Sequence, residues 1–210
     1  MPFNSIKKLF QTVYGFFFNP VPSSGVGGQY GGSVHQGLPP LAQPVETVPK
    51  AISWPSKLSV FQIKQIAEKI DQEHFGGFIR DNLGASFCPT IIYIESSGRV
   101  DAVRDESSLK DQSVGLMQLL NRTAEAMIER GYKKKGNDLF DAETNVYLGC
   151  AFIKYLWGKV PQSYQDKGKN KEFVIKAYNG GEKWYLKDDK VKKNVQKYYD
   201  KFISVEKNFI

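Results

Sequence analysis

The chain has 210 residues, of which 41% are hydrophobic and 24% charged, and a net charge of +7. That balance is ordinary for a globular domain with an appendage, and no apolar run reaches the roughly 20 residues of a membrane-spanning helix. The basic excess favours an anionic partner: nucleic acid, an acidic membrane surface or an anionic wall polymer.

Lys7 and Lys8 precede a stretch from Leu9 to Phe18 that has the length of a signal h-region. Gln11, Thr12 and Tyr14 interrupt it, and no clear small-x-small cleavage site follows. Ile6, Phe10, Val13 and Phe17 also fall at helical spacing, so residues 1–18 read as a short amphipathic or signal-like segment. Residues 19–52 cluster Gly, Pro, Ser and Gln, as in Pro20-Val21-Pro22 and Gly25-Val26-Gly27-Gly28. Such a composition buries too little apolar surface to offset chain entropy, and a disordered linker is expected. The folded domain is expected over residues 53–210.

Ser59 has the chemistry of an N-cap, and Phe61, Ile63, Ile66, Ala67 and Ile70 form a helical stripe that Gly76-Gly77 should end. Pro89 suits the first turn of a second helix, whose apolar run Ile91-Ile92-Tyr93-Ile94 leads straight into Glu95. Residues 98–113 are polar and read as a loop. Asn121 is expected to cap a helix over 122–130, with Gly131 beyond its end, and Asp141 to cap the next. The small pair Gly149-Cys150 predicts a close approach by another helix. Asn170 is expected to cap a helix ended by Gly180-Gly181, and Val191, Val195, Tyr198, Tyr199 and Phe202 outline a last amphipathic helix. The fold class expected is all-α, a single domain behind a disordered Gly/Pro-rich N-terminal segment.

A carboxylate at the end of an apolar helix loses water, and desolvation raises its pKa toward that of a general acid. Glu95 is the candidate. Gly115 permits a backbone turn or a close approach, Met117 offers a soft apolar surface, and Gln118 can donate and accept hydrogen bonds. Tyr178 combines a ring face with a hydroxyl, and Asn179 can bond to a ligand or end its helix. The two cysteines, Cys88 and Cys150, have no metal-ligand spacing and lie far from both histidines. Buried free thiols are expected, with one disulfide left open. No cluster suggests a metal or an organic cofactor.

Glu95-Ser96-Ser97-Gly98, Gly115-Leu116-Met117-Gln118, Thr123-Ala124, Leu139-Phe140-Asp141-x-x-Thr144-Asn145-Val146-x-x-Gly149 and Ala177-Tyr178-Asn179-Gly180-Gly181 follow one another in order. Together they resemble the catalytic domain of soluble lytic transglycosylases, a lysozyme-like fold, and in particular its plant and other eukaryotic versions. The resemblance spans roughly Ser53 to Tyr199. It implies that Glu95 is the sole catalytic carboxylate. Glu95 would protonate the bond between N-acetylmuramic acid and N-acetylglucosamine in peptidoglycan, then act as base toward the C6 hydroxyl, giving a 1,6-anhydro product. It also implies substrate contacts from Ser113, Met117, Gln118, Tyr178 and Asn179, with the Tyr178 hydroxyl on Glu95 or on an N-acetyl group.

One departure from the family pattern stands out. Bacterial members have a short link between acid and Gly-Leu-Met-Gln, with a serine bonded to the acid; here the link is longer and charged. Counted from Glu95 the serine position is Arg104; counted back from Gly115 it is Ser113. The extra residues supply Asp105, Glu106 and Asp111, acids that could position a water as in goose-type lysozymes. Two alternatives are therefore carried: goose-type hydrolysis of the same bond through Asp105 or Asp111, and a non-catalytic glycan-binding module. The expected partner is the peptidoglycan glycan strand, met by a monomer that is secreted or directed to a wall. Basic segments could add weak contact with a membrane or an anionic wall polymer. The Lys-rich residues 183–207 read as the solvated face of a helix, so no nucleic-acid partner is expected.

Overall fold

The computed structural model describes residues 54–132 and 138–210. The readings of residues 1–18 and 19–52 lie outside the described residues. Helix α1, Val60–Phe75, begins at Ser59 with a reciprocal cap: the Gln62 amide donates to Ser59 Oγ, and the Ser59 amide donates to Gln62 Oε1 at 3.0 Å. It buries Ile63, Ile66, Ala67 and Ile70 and stops at Gly76, whose φ of 63° accommodates the left-handed cap. A short helix follows that the sequence reading does not contain, α2, Phe78–Leu83. Its first amides are capped by a side chain of α1: Asp71 accepts from Ile79 N at 3.0 Å and Arg80 N at 2.9 Å. A cap supplied from another helix leaves no local signature.

Helix α3, Phe87–Ser96, carries Pro89 in its first turn and sinks Phe87, Cys88, Ile91 and Ile92 into the core. Ser97, at φ 55°, and Gly98, at φ 81°, turn the chain sharply after Glu95. Gly98 O accepts from Leu58 N at 2.8 Å, which ties this turn to the start of the described domain.

The all-α expectation holds only in its coarser form, and a sheet replaces the loop expected over 98–113. The protein is mostly helical, with a three-stranded antiparallel sheet in the order β1, Val103–Glu106, β2, Asp111–Val114, and β3, Leu119–Leu120. Val103 pairs with Val114, Glu106 with Asp111, and Ser113 with Leu120. Strand β1 is mainly exposed, so it lacks the apolar alternation from which a strand is read. Its ladder is held by the backbone and by a tight connection through a one-turn 3-10 helix, Ser107–Leu109.

Helix α4, Asn121–Glu129, differs from expectation at its start. Asn121 is its first residue rather than its cap, and Asp111 of β2 accepts from Asn121 Nδ2 at 3.1 Å and from the Arg122 guanidinium at 3.0 Å. Helix α5, Ala142–Trp157, is capped by Asp141, which accepts from Thr144 N at 2.8 Å, and its buried side runs through the middle of the core. Where Gly149 and Cys150 predict a close helix, Met117 lies against Gly149 and Cys88 of α3 meets Cys150. After the single turn α6, Gln162–Gln165, helix α7, Asn170–Gly180, has Lys169 at its cap position. Asn170 is inside the helix, with its buried Oδ1 making no hydrogen bond among the described residues. Helix α8, Asp189–Glu206, packs on α7 and α3; Phe202 meets Phe87 with ring centres 5.2 Å apart.

Candidate active site

Three helices and the sheet converge around Glu95. The run Ile91-Ile92 anchors the buried side of α3 and so holds its last turn in place; Glu95 projects from that turn, half-buried. From α8, Tyr198 Oη donates to Glu95 Oε1 at 2.6 Å. Burial pushes the Glu95 carboxyl above the usual range, and the negative charge of Glu106 adds to this. The Tyr198 hydrogen bond and the positive charges of Arg104 and Lys201 work in the opposite sense. Desolvation wins, so the group retains a proton at a pH where an exposed glutamate has lost it.

Tyr178 is half-buried on α7 and shares this environment. Burial and then the Glu95 charge push its phenol well above its ordinary value. Tyr198 is displaced upward for the same two reasons. Both hydroxyls are therefore donors across the physiological range. The Tyr178 hydroxyl, however, donates to the Met117 carbonyl at 2.7 Å rather than to Glu95, and its ring leans on Phe152 with centres 5.5 Å apart. The tyrosine that bonds the acid is Tyr198, which the sequence reading treats only as part of an amphipathic stripe.

The turn between β2 and β3 is held by a residue that had no assigned role. Asn145 of α5 is fully buried. Its Oδ1 accepts from Met117 N at 2.8 Å, and its Nδ2 donates to Val114 O at 2.9 Å and Leu139 O at 3.0 Å. Gly115, at φ 76°, makes room for this amide: a Cβ there would overlap the Asn145 side chain. The close approach read from Gly115 is thus made by the protein's own side chain. Met117 is corrected as well. It is fully buried, filling the hollow above Gly149, and presents no apolar surface to a ligand. Its carbonyl is the part that enters the site, as the acceptor for Tyr178.

Gln118 sits in the left-handed region at φ 46°, a conformation that costs a non-glycine residue of order 1–3 kcal/mol. Its Nε2 donates to Ala102 O and Gly115 O, both at 3.0 Å, which leaves Oε1 as the atom available to a ligand. Asn179, in the last turn of α7, is exposed, and its side chain makes no hydrogen bond among the described residues.

Ser113 does not take the place of a serine bonded to the acid. Its hydroxyl donates to Glu106 Oε1 at 3.2 Å, and Arg104 Nε donates to the same oxygen at 2.6 Å. Arg104 and Glu106 lie two apart on β1 and so share one face, with Ser113 opposite Arg104 on β2. Both of their charges reach Glu95. Asp105 accepts from Gln112 Nε2 at 2.8 Å, on the exposed side. Asp111 is committed to the start of α4. Burial opposes its ionisation, but donors from Gln112, Asn121 and Arg122 outweigh it and hold its carboxyl low. Among the described residues, no group of three or more His, Cys, Asp or Glu is arranged to hold a metal ion.

The arrangement offers one acid with a raised pKa, one of its oxygens held by a tyrosine, beside an amide carbonyl and an exposed asparagine. It suits protonation of a leaving oxygen. The family model described as the transglycosylase SLT domain matches residues 80–201, a stretch that holds Glu95, the 115–118 turn, Asn145, Tyr178 and Tyr198. No curated protein and no solved structure matches the chain.

Proposed function

The chain belongs to the transglycosylase SLT domain family, whose function is glycan cleavage of the transglycosylase type, and from that premise we propose that it is a peptidoglycan lytic transglycosylase in which Glu95 is the single acid and then base. The bond cut is the β-1,4 linkage between N-acetylmuramic acid and N-acetylglucosamine. The observation that carries the reading is the desolvated Glu95 carboxyl, with Oε1 engaged by Tyr198 at 2.6 Å. The hydrogen bond fixes the carboxyl plane and leaves Oε2 to carry the proton. Oε2 delivers it to the glycosidic oxygen as the bond breaks. The carboxylate that results is then a base for the C6 hydroxyl of the muramic acid, whose oxygen closes on C1. Acid and base are the same group because the first transfer leaves it deprotonated. Tyr198 steadies the carboxylate between the two transfers, and Gln118 Oε1 and Asn179 are suited to receive donors from the sugar.

A second reading, hydrolysis in the manner of goose-type lysozymes, is favoured by one observation: the charge of Glu106 acts on Glu95. Of the three acids of this segment, Glu106 rather than Asp105 or Asp111 is the one whose charge acts on Glu95, and it is the candidate to orient a water. Arg104 Nε and Ser113 Oγ both donate to one oxygen of Glu106, which ties that carboxyl to the sheet rather than to a water, so the single-acid route is preferred. Mass spectrometry of muropeptides released from purified peptidoglycan tests the choice. The proposal predicts an anhydro product lighter by one water than the hydrolysed fragment; a product carrying that water assigns the reaction to hydrolysis.

A further inference from the structure

Cys88 and Cys150 are 62 residues apart in the chain, on α3 and α5, and their sulfurs lie 3.4 Å from each other in the core. Both are free thiols. Cys150 is wholly enclosed, while Cys88 forms part of the wall of a cavity of about 160 Å³. Lys64 and Asp71 of α1, Arg80 of α2, and Ala85 line the same cavity, which is only partly closed to solvent. Two buried cysteines need not touch, and a core thiol need not face a cavity. Here the two features coincide: Cys88 borders a cavity open in part to solvent, and a second thiol lies 3.4 Å from its sulfur. A disulfide requires the sulfurs at about 2.05 Å, a little over an ångström closer than they stand. Closing that gap requires side-chain rotation and a small shift of the two packed helices.

We infer that Cys88 and Cys150 form a dithiol–disulfide pair, oxidised through this cavity by a low-molecular-weight disulfide. The Cys88 thiolate attacks one sulfur of the small disulfide, breaking its S–S bond and releasing one small thiol, which takes up the proton given up by Cys88. Cys150 then attacks the Cys88 sulfur of the mixed disulfide, and the second small thiol leaves with the Cys150 proton. Two protein thiols are oxidised by two electrons, and the small disulfide is reduced to two thiols. The cross-link ties the helix that ends in Glu95 to the central helix α5. It raises stability by restricting the unfolded chain over a long loop.

The test uses the full chain, incubated with glutathione disulfide and mapped by non-reducing peptide mass spectrometry. The expected result is a Cys88–Cys150 linked peptide, a Tm higher by several degrees, and reversal of both by dithiothreitol. In Cys150→Ser, the expected product is a stable glutathione adduct on Cys88. Because that substitution is in a fully buried site, the wild-type map is the deciding arm. The inference is overturned if the folded wild-type chain keeps both thiols while the same chain in urea reacts. It is equally overturned if Cys88→Ser takes an adduct on Cys150 and Cys150→Ser takes none on Cys88.

Discussion

Tyr198 Oη meets Glu95 Oε1 at 2.6 Å across 103 residues of chain, joining the last helix of the domain to the end of the helix that carries the acid. The contact has two consequences that separate experimentally. It lowers the Glu95 pKa against the burial that raises it, and it holds the carboxyl by Oε1.

Tyr198→Phe removes the hydroxyl and keeps the ring. Burial of Glu95 is then less opposed, so its pKa rises further and the descending limb of the pH–rate profile moves to higher pH. The maximal rate falls about tenfold or more as the carboxyl loses its fixed orientation, a smaller loss than the roughly 10²–10⁴-fold that the general acid itself contributes. A pH–rate profile on soluble glycan fragments reads both effects, and an unmoved limb would detach the tyrosine from the acid.

Glu95→Gln has a stability signature whose sign follows from the direction of the shift. A carboxyl whose pKa is higher in the folded protein than in the unfolded chain binds more protons when folded, so wild-type stability falls as pH rises through the window between the two values. The penalty is absent below the ordinary carboxylate range and complete above the raised value. Glutamine keeps an acceptor for Tyr198 and has no charge to desolvate. The variant therefore gains in Tm over the wild type as pH rises through that window and shows little gain in acid. Thermal melts at a series of pH values check this.

Asn145→Ala leaves Met117 N, Val114 O and Leu139 O without their partner. A buried polar group stripped of its bond costs about 1–3 kcal/mol, and water entering the new hollow offsets part of that. A loss of about 2–4 kcal/mol in urea denaturation is expected. Activity should fall more than stability alone accounts for, since the turn positions both Gln118 and the carbonyl that holds Tyr178.

Gly149→Ala places a methyl group on the Met117 thioether. The methionine is flexible, so it moves rather than breaking the fold, and overpacking costs about 1–3 kcal/mol. Moving Met117 shifts its carbonyl, and with it Tyr178. A rise in KM or a fall in kcat together with a modest drop in denaturation midpoint is the expected pattern.

The parts of this molecule legible in its sequence are those whose signals are local. Ser59 and Gln62 form their cap within four residues, Asp141 caps the helix it immediately precedes, and Gly76 ends α1 at its own position. Glu95 follows directly from the apolar run that buries its helix. What was not legible depends on partners distant in the chain. Helix α2 starts on a cap from Asp71, and α4 on the Arg122 amide donating to Asp111, so Asn121 was a reasonable cap residue with no cap to make. The sheet has no apolar rhythm because its first strand faces water. Tyr198 looked like one aromatic among several on α8, and only the packing of α8 against α3 brings it to the acid. Met117 shows the converse: its residue type suited a ligand surface, and the glycine opposite it made it core.

In the proposed reaction the Glu95 carboxyl donates the proton that breaks the glycosidic bond. The most direct test of this step is turnover of purified peptidoglycan by Glu95→Gln, with the fold verified by circular dichroism and thermal melting. A natively folded variant that binds glycan strands and releases no soluble fragments is expected. A folded variant that still releases fragments at a rate near that of the wild type would contradict that step.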